Sequence, residues 1–252
     1  MYAYWPTIVV FGRSRLASLA GRVARRDTMA AVSWMPFSFL WEVIVGERLT
    51  DRSCAAFAEV LAAKESVPGG GGAAALVGAL GVALGSMVGN FTTGKKRYAD
   101  VEDDIQRMLA DAEAIRLKLI ELVEEDAAAF YPLSQAYGIP KDDPTRAEVL
   151  EEATKNACVA PLEMMRQIAK AIELLEEMGQ KGSKMLLSDV GCGALLCRAA
   201  LEAASLNVFV NTKTLKERTL AYAIEAECDA LLGEWCPRAE ACAASVMDHI
   251  RK

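Results

Sequence analysis

The chain has 252 residues, of which 53% are hydrophobic and 25% are charged, and its formal net charge is −6. This composition is typical of a globular protein with a sizeable buried core and excludes a disordered chain. The acidic balance argues against nucleic acid as the main partner, because phosphate backbones are bound by an excess of lysine and arginine.

The first 48 residues differ in composition from the rest of the chain. Up to Thr28 they contain five arginines and one acidic residue, Asp27, which gives this segment a local charge of +4. Such a start is typical either of an organelle transit peptide or of an extension from an upstream start codon, with Met29 and Met35 as alternative starts. We predict an extension over residues 1–48, disordered or from an upstream start, and one helical domain over residues 49–252.

The next stretch predicts a capped helix and then a glycine-rich helix. In "LTDRSCAAFAEVLAAKES", Thr50 and Asp51 are capping residues before an apolar face. The sequence "SVPGGGGAAALVGALGVALGSMVGNFTTGKKRY" then keeps four glycines inside a helical pattern: Gly78, Gly81, Gly85 and Gly89. Each costs about 1 kcal/mol relative to alanine, so close packing against another backbone, or close approach of a ligand, must compensate.

The glycine-rich helix also has the length of a membrane span. Residues 66–94 contain no charged side chain, and glycines spaced by four are frequent where membrane helices pack. Four consecutive glycines make a poor helix end in lipid, however, and no second stretch of similar quality is expected. We therefore predict the buried central helix of a bundle, not a membrane protein.

Helical periodicity continues to the C-terminus. One long helix is predicted from residue 100 to about residue 137, and "GIPKDDP" ends it, with Asp143 as the next cap and Pro144 as the first helical residue. Glycine and proline positions set the remaining boundaries: a kink at Pro161, an end at Gly179 or Gly182, a start near Ser183, and a last helix from about Thr214 interrupted near Gly233 and Pro237. Without a convincing strand, the predicted fold is an all-α antiparallel helical bundle.

The histidine and cysteine content excludes several classes of catalytic site. His249 is the single histidine and lies near the C-terminus, which excludes multi-histidine metal centres and disfavours a Ser-His-Asp site. The seven cysteines include no CxxC pair, which indicates reduced thiols in a cytoplasmic protein. In an enzyme of this composition, proton transfer falls to Asp, Glu, Lys, Tyr or Cys.

Asp126 lies within the apolar stripe of the long helix. It follows Leu122 by four residues and precedes Phe130 by four, and these spacings share one helical face. Its neighbours Glu124 and Glu125 are expected to point elsewhere as solvated acids. A carboxylate in an apolar stripe has a raised pKa unless it is paired, which suits acid–base catalysis near neutral pH. The alternative is a structural Asp bonded to a neighbouring helix.

Three further polar residues are candidate ligand contacts. Asp189 has a similar apolar spacing and lies beside the open backbone of Gly191 and Gly193, where either a flat ligand or another helix fits. Asn207 and Asn211 are four residues apart and share a helical face. Paired carboxamides suit the edge of a heterocycle, although such pairs also bridge helices.

The two ends of the glycine-rich helix offer sites for anions. Lys95 and Lys96 follow its C-terminus, where they either complement the helix dipole or bind an anionic tail. Free N–H groups at Gly69, Gly70 and Gly71 suit an anion or a carbonyl. No Gly-Lys-Ser/Thr follows, so this is not a phosphate-binding P-loop.

Three segments, in this order, resemble the formimidoyltetrahydrofolate cyclodeaminase/methenyltetrahydrofolate cyclohydrolase family: the glycine-rich segment, "LVEEDAAAF" and "LLSDVGCGALLCRAALEAASLNVFVNTK". The resemblance extends from about Leu49 to Leu232. The resemblance implies an all-α homodimer with a folate site at or near its interface, glycines that allow close helix approach in that dimer, and no metal or other cofactor. It implies that Asp126 is the acid–base catalyst. The folate-binding residues implied are Gly69, Gly70 and Gly71 near the pterin, Lys95 and Lys96 at the glutamate tail, and Asp189, Asn207 and Asn211.

Two reactions are implied by the resemblance. The cyclohydrolase opens 5,10-methenyltetrahydrofolate with water to give 10-formyltetrahydrofolate, and the cyclodeaminase closes 5-formiminotetrahydrofolate with loss of ammonia. The segments "GKKRYADVE" and "YPLSQAYGIPKDD" resemble the stand-alone bacterial cyclohydrolases more closely, and we therefore expect the cyclohydrolase. The alternatives are the cyclodeaminase and a folate-binding helical protein without turnover.

Overall fold

Six α-helices form the part of the chain that the computed structural model describes, residues 48–252. Their bounds are α1 Cys54–Ala62, α2 Gly70–Asn90, α3 Glu102–Ala136, α4 Arg146–Lys181, α5 Leu187–Thr212 and α6 Arg218–Ile250. Short 3-10 helices occupy Leu49–Asp51, Lys96–Val101 and Lys184–Leu186, and these residues contain no strand. The all-α prediction is confirmed. The predicted extension lies, except for residue 48, outside the described residues.

The glycine-rich helix α2 lies at the centre of the bundle. It packs against α3, α4 and α5, and α6 packs on α4 and α5. Helices α2 and α3 are antiparallel, because Gly71 lies beside Asp126 whereas Gly89 lies beside Leu109. Helices α2 and α5 are also antiparallel, since the N-terminal Gly70 faces Asn207 near the C-terminus of α5. The N-terminus of α2 therefore meets residues from two neighbouring helices.

The glycines of α2 allow its neighbours to approach within the same chain. A Cβ on Gly81 would lie 2.6 Å from the Cys197 sulfur and 3.1 Å from the Gly193 carbonyl oxygen. A Cβ on Gly193 would in turn lie 2.8 Å from the Gly81 carbonyl oxygen. Gly78, Gly85 and Gly89 similarly receive side chains from α3 and α4. Packing inside one chain therefore accounts for these interior glycines, and a dimer is not needed to explain them.

This packing predicts opposite effects for two glycine-to-alanine substitutions in helices. Gly81→Ala is expected to destabilise the fold by about 2 kcal/mol or more, because the added methyl overpacks a backbone contact. Gly233→Ala, in α6, is expected to stabilise it by about 0.5–1 kcal/mol, since nothing lies within 4 Å of its Cβ position. Urea unfolding of both variants measures the difference. Equal changes in the two variants would contradict the packing of α2 on α5.

The start of α1 differs from the predicted one. Ser53 caps this helix by accepting a hydrogen bond from the Ala56 backbone N–H at 3.1 Å. The predicted caps, Thr50 and Asp51, lie instead in the preceding 3-10 turn. The capping pattern was ambiguous because several residues able to cap a helix follow one another there.

The start of α4 is also shifted. Asp143 accepts hydrogen bonds from the Thr145 backbone N–H at 2.8 Å and from the Thr145 hydroxyl at 2.7 Å. This local turn delays the helix to Arg146, so Pro144 is not its first residue. A short Asp side chain that bonds two residues ahead competes with helix formation in this way.

The last helix is less interrupted than predicted. Helix α6 is continuous from Arg218 to Ile250 with Gly233 and Pro237 inside it, so the predicted interruption is wrong. Pro161 lies within the continuous α4. The cost of a proline inside a helix is local, and packing of α4 and α6 against the bundle compensates for it.

Two of the described helical stretches, Gly70–Asn90 and Lys184–Thr212, are long and apolar enough to span a membrane by length and composition alone. The second corrects the expectation that only one such stretch exists. Core helices of globular proteins share this length and composition, and 56% of the apolar stretch of α2 is buried inside the protein. This burial agrees with the predicted central position of α2.

Candidate active site

The carboxylate of Asp126 lies against the first turn of α2. A Cβ on Gly71 would lie 2.5 Å from both Asp126 carboxylate oxygens, so the carboxylate occupies the space that any other residue would fill with a side chain. The backbone N–H of Gly72 donates a hydrogen bond to the same group. Asp126 is partly buried within α3, as the apolar spacing predicted. We call this group, Asp126 with Gly70, Gly71 and Gly72, the cradle.

The environment of Asp126 makes it suitable for proton transfer near neutral pH. Burial raises the pKa of its carboxyl group from the ordinary value of 3.8 to about 6, while the hydrogen bond from Gly72 partly opposes this rise. Ion pairs of the described residues do not include Asp126, although they engage most acids of α3. The same group can therefore accept a proton as carboxylate and return it as acid.

Asn207 extends the cradle from the side of α5. Its amide nitrogen and oxygen both lie 3.6 Å from the position of a Cβ on Gly70. The amide nitrogen donates to the Ala203 carbonyl at 2.9 Å, which fixes the orientation of the side chain. Its second N–H and its carbonyl oxygen remain available for the donor and acceptor groups of a heterocycle.

Asn211 has a different environment from Asn207. Its amide nitrogen donates to the Ala157 carbonyl oxygen of α4 at 2.9 Å. It therefore ties α5 to α4 about one helical turn beyond Asn207. This bond is the helix-bridging alternative of the sequence analysis, and the second N–H and the amide oxygen of Asn211 remain able to meet a ligand.

Glu124 is a buried residue that the sequence analysis placed in solvent. It is 7% exposed, and its carboxylate accepts hydrogen bonds from the Leu49 N–H, the Thr50 N–H and the Thr50 hydroxyl at 2.9–3.2 Å. The prediction that Glu124 is solvated is therefore wrong. Glu125 is partly exposed and pairs with Lys118 at 2.7 Å. The carboxylate of Glu124 fastens the turn before α1 to the helix that carries Asp126.

The other predicted folate contacts lie at the opposite end of the bundle. Lys95 and Lys96 follow the C-terminus of α2, whose 21 residues separate them from the cradle by about 30 Å. Asp189 lies in the first turn of α5, 18 residues and about 27 Å from Asn207. Within one chain the structure brings together Gly70, Gly71, Asp126 and Asn207. It does not bring Lys95, Lys96 or Asp189 close to this group.

Most of this chain is similar to known proteins. The family model described as formiminotransferase-cyclodeaminase matches residues 53–230. A methenyltetrahydrofolate cyclohydrolase from Methylorubrum extorquens is 41% identical over 182 residues, which cover 71% of this chain and 88% of that protein. A crystal structure of formiminotetrahydrofolate cyclodeaminase from Thermotoga maritima matches with a TM-score of 0.68 and 32% identity, over 78% of this chain and 94% of that one.

The longer relatives match over one part of their length. The formimidoyltransferase-cyclodeaminase of Rattus norvegicus is 31% identical over 175 residues, which cover 68% of this chain. The matched part is 32% of that protein, so this chain spans about a third of its length. The residues matched by the family model, 53–230, include the cradle, Asn207 and all of α2 to α5.

Proposed function

This chain belongs to the formiminotransferase-cyclodeaminase family, and on that basis we propose that it hydrolyses 5,10-methenyltetrahydrofolate to 10-formyltetrahydrofolate. Its relatives are named enzymes of folate one-carbon chemistry. The observation that carries the proposal is the cradle, where a carboxyl group with a pKa of about 6 faces the glycine backbone of α2. The 41% identity to a methenyltetrahydrofolate cyclohydrolase favours this reaction.

In the proposed mechanism Asp126 moves one proton twice. As a carboxylate it removes a proton from water while the water oxygen bonds to the methenyl carbon. It then donates this proton to N5 as the bond between that carbon and N5 breaks. The remaining hydroxyl proton leaves to solvent and produces the N10 formyl group. These steps use only Asp126 and water, and they require no cofactor.

The neighbours of Asp126 have proposed roles in binding the pterin. The glycines Gly69, Gly70 and Gly71 leave room for a flat ring system beside the N-terminus of α2, and Gly69 has no atom within 4 Å of its Cβ position. Asn207 offers one N–H and one carbonyl oxygen to the ring edge, held by its bond to Ala203. A ring bound there places the one-carbon unit next to Asp126.

The cyclodeaminase reaction is the second candidate, favoured by the matched structure from Thermotoga maritima. It needs the same kind of residue, because N10 must lose a proton and the departing ammonia must gain one. The cradle supplies one such group and does not by itself distinguish the two reactions.

The deciding experiment uses purified protein and both folates. We expect catalytic amounts to accelerate the loss of the near-ultraviolet absorbance of 5,10-methenyltetrahydrofolate above the spontaneous rate. Release of ammonia from 5-formiminotetrahydrofolate, without that loss, would assign the cyclodeaminase reaction instead. Folate binding without turnover of either compound would leave a non-catalytic binding protein.

We further propose that the enzyme is a homodimer formed through α2 and α5. Large apolar side chains are exposed along this face: Leu80 at 54%, Leu195 at 50%, Leu206 at 69% and Val210 at 62%. Exposed apolar side chains grouped on two packed helices are typical of a protein interface. Lys95, Lys96 and Asp189 stay predicted folate contacts, and their distance from the cradle means that they reach the same folate only from a second copy.

A matched pair of substitutions tests the dimer. Leu195→Glu, in the centre of α5, is expected to convert the dimer to a monomer because it buries a charge in the interface. Leu117→Glu on α3, where the leucine is 53% exposed, introduces the same charge outside that face and is expected to leave the dimer intact. Light scattering after gel filtration measures the mass. A dimer that survives Leu195→Glu would contradict the proposed face.

The cellular location is proposed from the cysteines. All seven are free thiols, and three of them, Cys158, Cys197 and Cys228, are buried. Unpaired thiols of this number persist in a reducing compartment. We therefore propose a cytoplasmic enzyme.

A further inference from the structure

The first turn of α2 has no side chains to hold it in place. It consists of residues 70–72, all glycines, and the N-cap residue, Gly69, makes no side-chain hydrogen bond to the free N–H groups. Each glycine costs about 1 kcal/mol relative to alanine in a helix, and helix ends fray where caps are missing. From Ala74 onward, buried side chains pack α2 into the bundle. The position of the Gly72 N–H beside Asp126 therefore depends on the residues that precede α2.

The segment before α2 is fixed at its two ends and exposed between them. At one end, Leu49 is 2% exposed. At the other end Pro68 is buried, and its Cβ lies 3.5 Å from the position of a Cβ on Gly72. Of residues 51–67, Phe57 alone is buried, and a helix of nine residues such as α1 is too short to be stable in isolation. We call residues 49–68 the strap, and its conformation depends on its two fixed ends.

Glu124 holds the N-terminal end of the strap. One carboxylate oxygen accepts a hydrogen bond from the Leu49 N–H at 3.2 Å, and the other accepts from the Thr50 N–H and the Thr50 hydroxyl, each at 2.9 Å. Glu124 is 7% exposed, and a buried carboxylate needs such donors to replace its lost water. Hydrogen bonds to a charged acceptor are roughly twice as strong as those between neutral groups. Glu124 thus attaches the strap to α3.

The two ends of the strap contact α3 close to Asp126 but from opposite sides. Glu124 precedes Asp126 by two residues, and side chains two residues apart point about 200° apart around a helix axis. The N-terminal end of the strap binds on the Glu124 side. Its C-terminal end continues directly into the glycines that contact Asp126. The strap therefore runs from one side of α3 to the other, and its release at Glu124 would loosen the first turn of α2.

We propose that Glu124 is a positioning residue for the reaction: it fixes the strap, and the strap holds the first turn of α2 against the Asp126 carboxylate. Glu124 acts through these residues and does not itself contact the folate. This inference rests on the proposed function of Asp126 but not on which of the two folates is the substrate. A purely stabilising residue would change the amount of folded protein and not the rate of each folded molecule.

Glu124→Gln tests this proposal, with Glu125→Gln as the matched control. Glutamine keeps the size of the side chain but turns an NH2 group towards Leu49 or Thr50, where it meets another donor. We expect kcat per folded molecule with 5,10-methenyltetrahydrofolate to fall by about 10- to 100-fold, because a displacement of about 1 Å at a catalytic group has an effect of this order. The partly exposed ion pair of Glu125 with Lys118 contributes little, so the control is expected to keep the wild-type kcat. An unchanged kcat in Glu124→Gln overturns the proposal.

The pH dependence of turnover separates positioning from general damage. Burial raises the pKa of Asp126 to about 6 against the hydrogen bond from Gly72, and no charged group among the described residues contributes to this shift. Release of the strap lets water reach the carboxylate, so its pKa falls towards the ordinary 3.8. The rise of the residual Glu124→Gln activity with pH is therefore expected to move below pH 6. A profile that keeps the wild-type midpoint overturns the proposal.

Thr50→Val is a milder variant of the same attachment. It removes the hydroxyl donor and leaves the two backbone donors in place, so it is expected to fold even if Glu124→Gln does not. We expect kcat per folded molecule to fall by about three- to tenfold, because one of the hydrogen bonds to the carboxylate is lost. If Glu124→Gln does not fold, an unchanged kcat in Thr50→Val overturns the proposal.

Urea unfolding at pH 8 tests the link between Glu124 and Asp126 without any turnover. Asp126→Asn is expected to raise the urea midpoint of the wild-type protein, because burial makes the charged carboxylate unfavourable. In the Glu124→Gln background this increase is expected to shrink to about half or less, since the carboxylate is already hydrated there. Such a reduction supports the positioning role even if neither folate is turned over, in which case the proposed function alone fails. Equal increases in the two backgrounds overturn the role of Glu124.

Discussion

Asp126→Asn is expected to abolish turnover of the folate substrate and, at pH 8, to raise the free energy of unfolding by on the order of 2 kcal/mol. Turnover is lost because an amide neither accepts nor returns the proton that the reaction moves. Stability rises because burial makes the charged carboxylate unfavourable, as the pKa of about 6 shows. The amide oxygen of asparagine still accepts the hydrogen bond from Gly72.

The stability effect has a definite dependence on pH. The pKa of Asp126 is raised in the folded protein, so its favourable neutral form is fully present below about pH 3.8 and is lost as the pH rises through about 6. The difference between these values corresponds to about 3 kcal/mol at most. Wild type and Asp126→Asn are therefore expected to have equal stability near pH 3.5 and to diverge by pH 8.

Urea unfolding at both pH values, together with the absorbance assay, checks this prediction. Because the base form of Asp126 starts the reaction, turnover of the wild type is also expected to rise with pH through about 6. Turnover at the wild-type rate would remove Asp126 from the mechanism. Unchanged stability at pH 8 would show that its carboxylate is solvated.

Gly71→Ala is expected to reduce turnover by about 100-fold or more while the protein still folds. The added methyl would lie 2.5 Å from both Asp126 oxygens, so the carboxylate must leave its position, and displacement of a catalytic group by about 1 Å has an effect of this size. Gly233→Ala is the control, because nothing lies within 4 Å of its Cβ position and it lies in α6, outside the proposed pterin site. We expect the control to keep most of its activity.

The pH profile separates displacement of Asp126 from general damage. A carboxylate pushed out of the cradle into water returns towards its ordinary pKa, so the residual activity of Gly71→Ala is expected to lose its dependence on pH near 6. A profile identical to that of the wild type, with only a lower amplitude, would indicate partial unfolding. Equal losses in Gly233→Ala and Gly71→Ala would show that the carboxylate does not fill the space beside Gly71.

Local sequence signals predicted the helices and the position of Asp126. The apolar spacing around Asp126 follows from helix periodicity, which depends only on residues within a few turns. Interior glycines signalled close approach for the same reason, and neighbouring helices of the same chain occupy the space beside them. Which helix a buried surface packs against depends on the tertiary arrangement, and the spacing of residues along the sequence does not encode it.

Other features depended on contacts that no local pattern reveals. Glu124 is buried because its hydrogen-bond donors come from Leu49 and Thr50, about 75 residues earlier. Lys95 stays a predicted folate contact, and the length of α2 places it about 30 Å from Asp126 within one chain, a distance that spacing in the sequence did not reveal.

The reciprocal contact between Gly81 and Gly193 has a consequence for how mutations affect this protein. Backbone atoms of α2 and α5 meet there directly, beside the Cys197 sulfur, so backbone contact largely sets the distance between the two helices. The cradle lies about three turns away on the same rigid helix. Core substitutions elsewhere should therefore lower the amount of folded protein and leave the activity of each folded molecule unchanged. For a directed-evolution experiment, this means that stability and catalysis can be improved as separate traits.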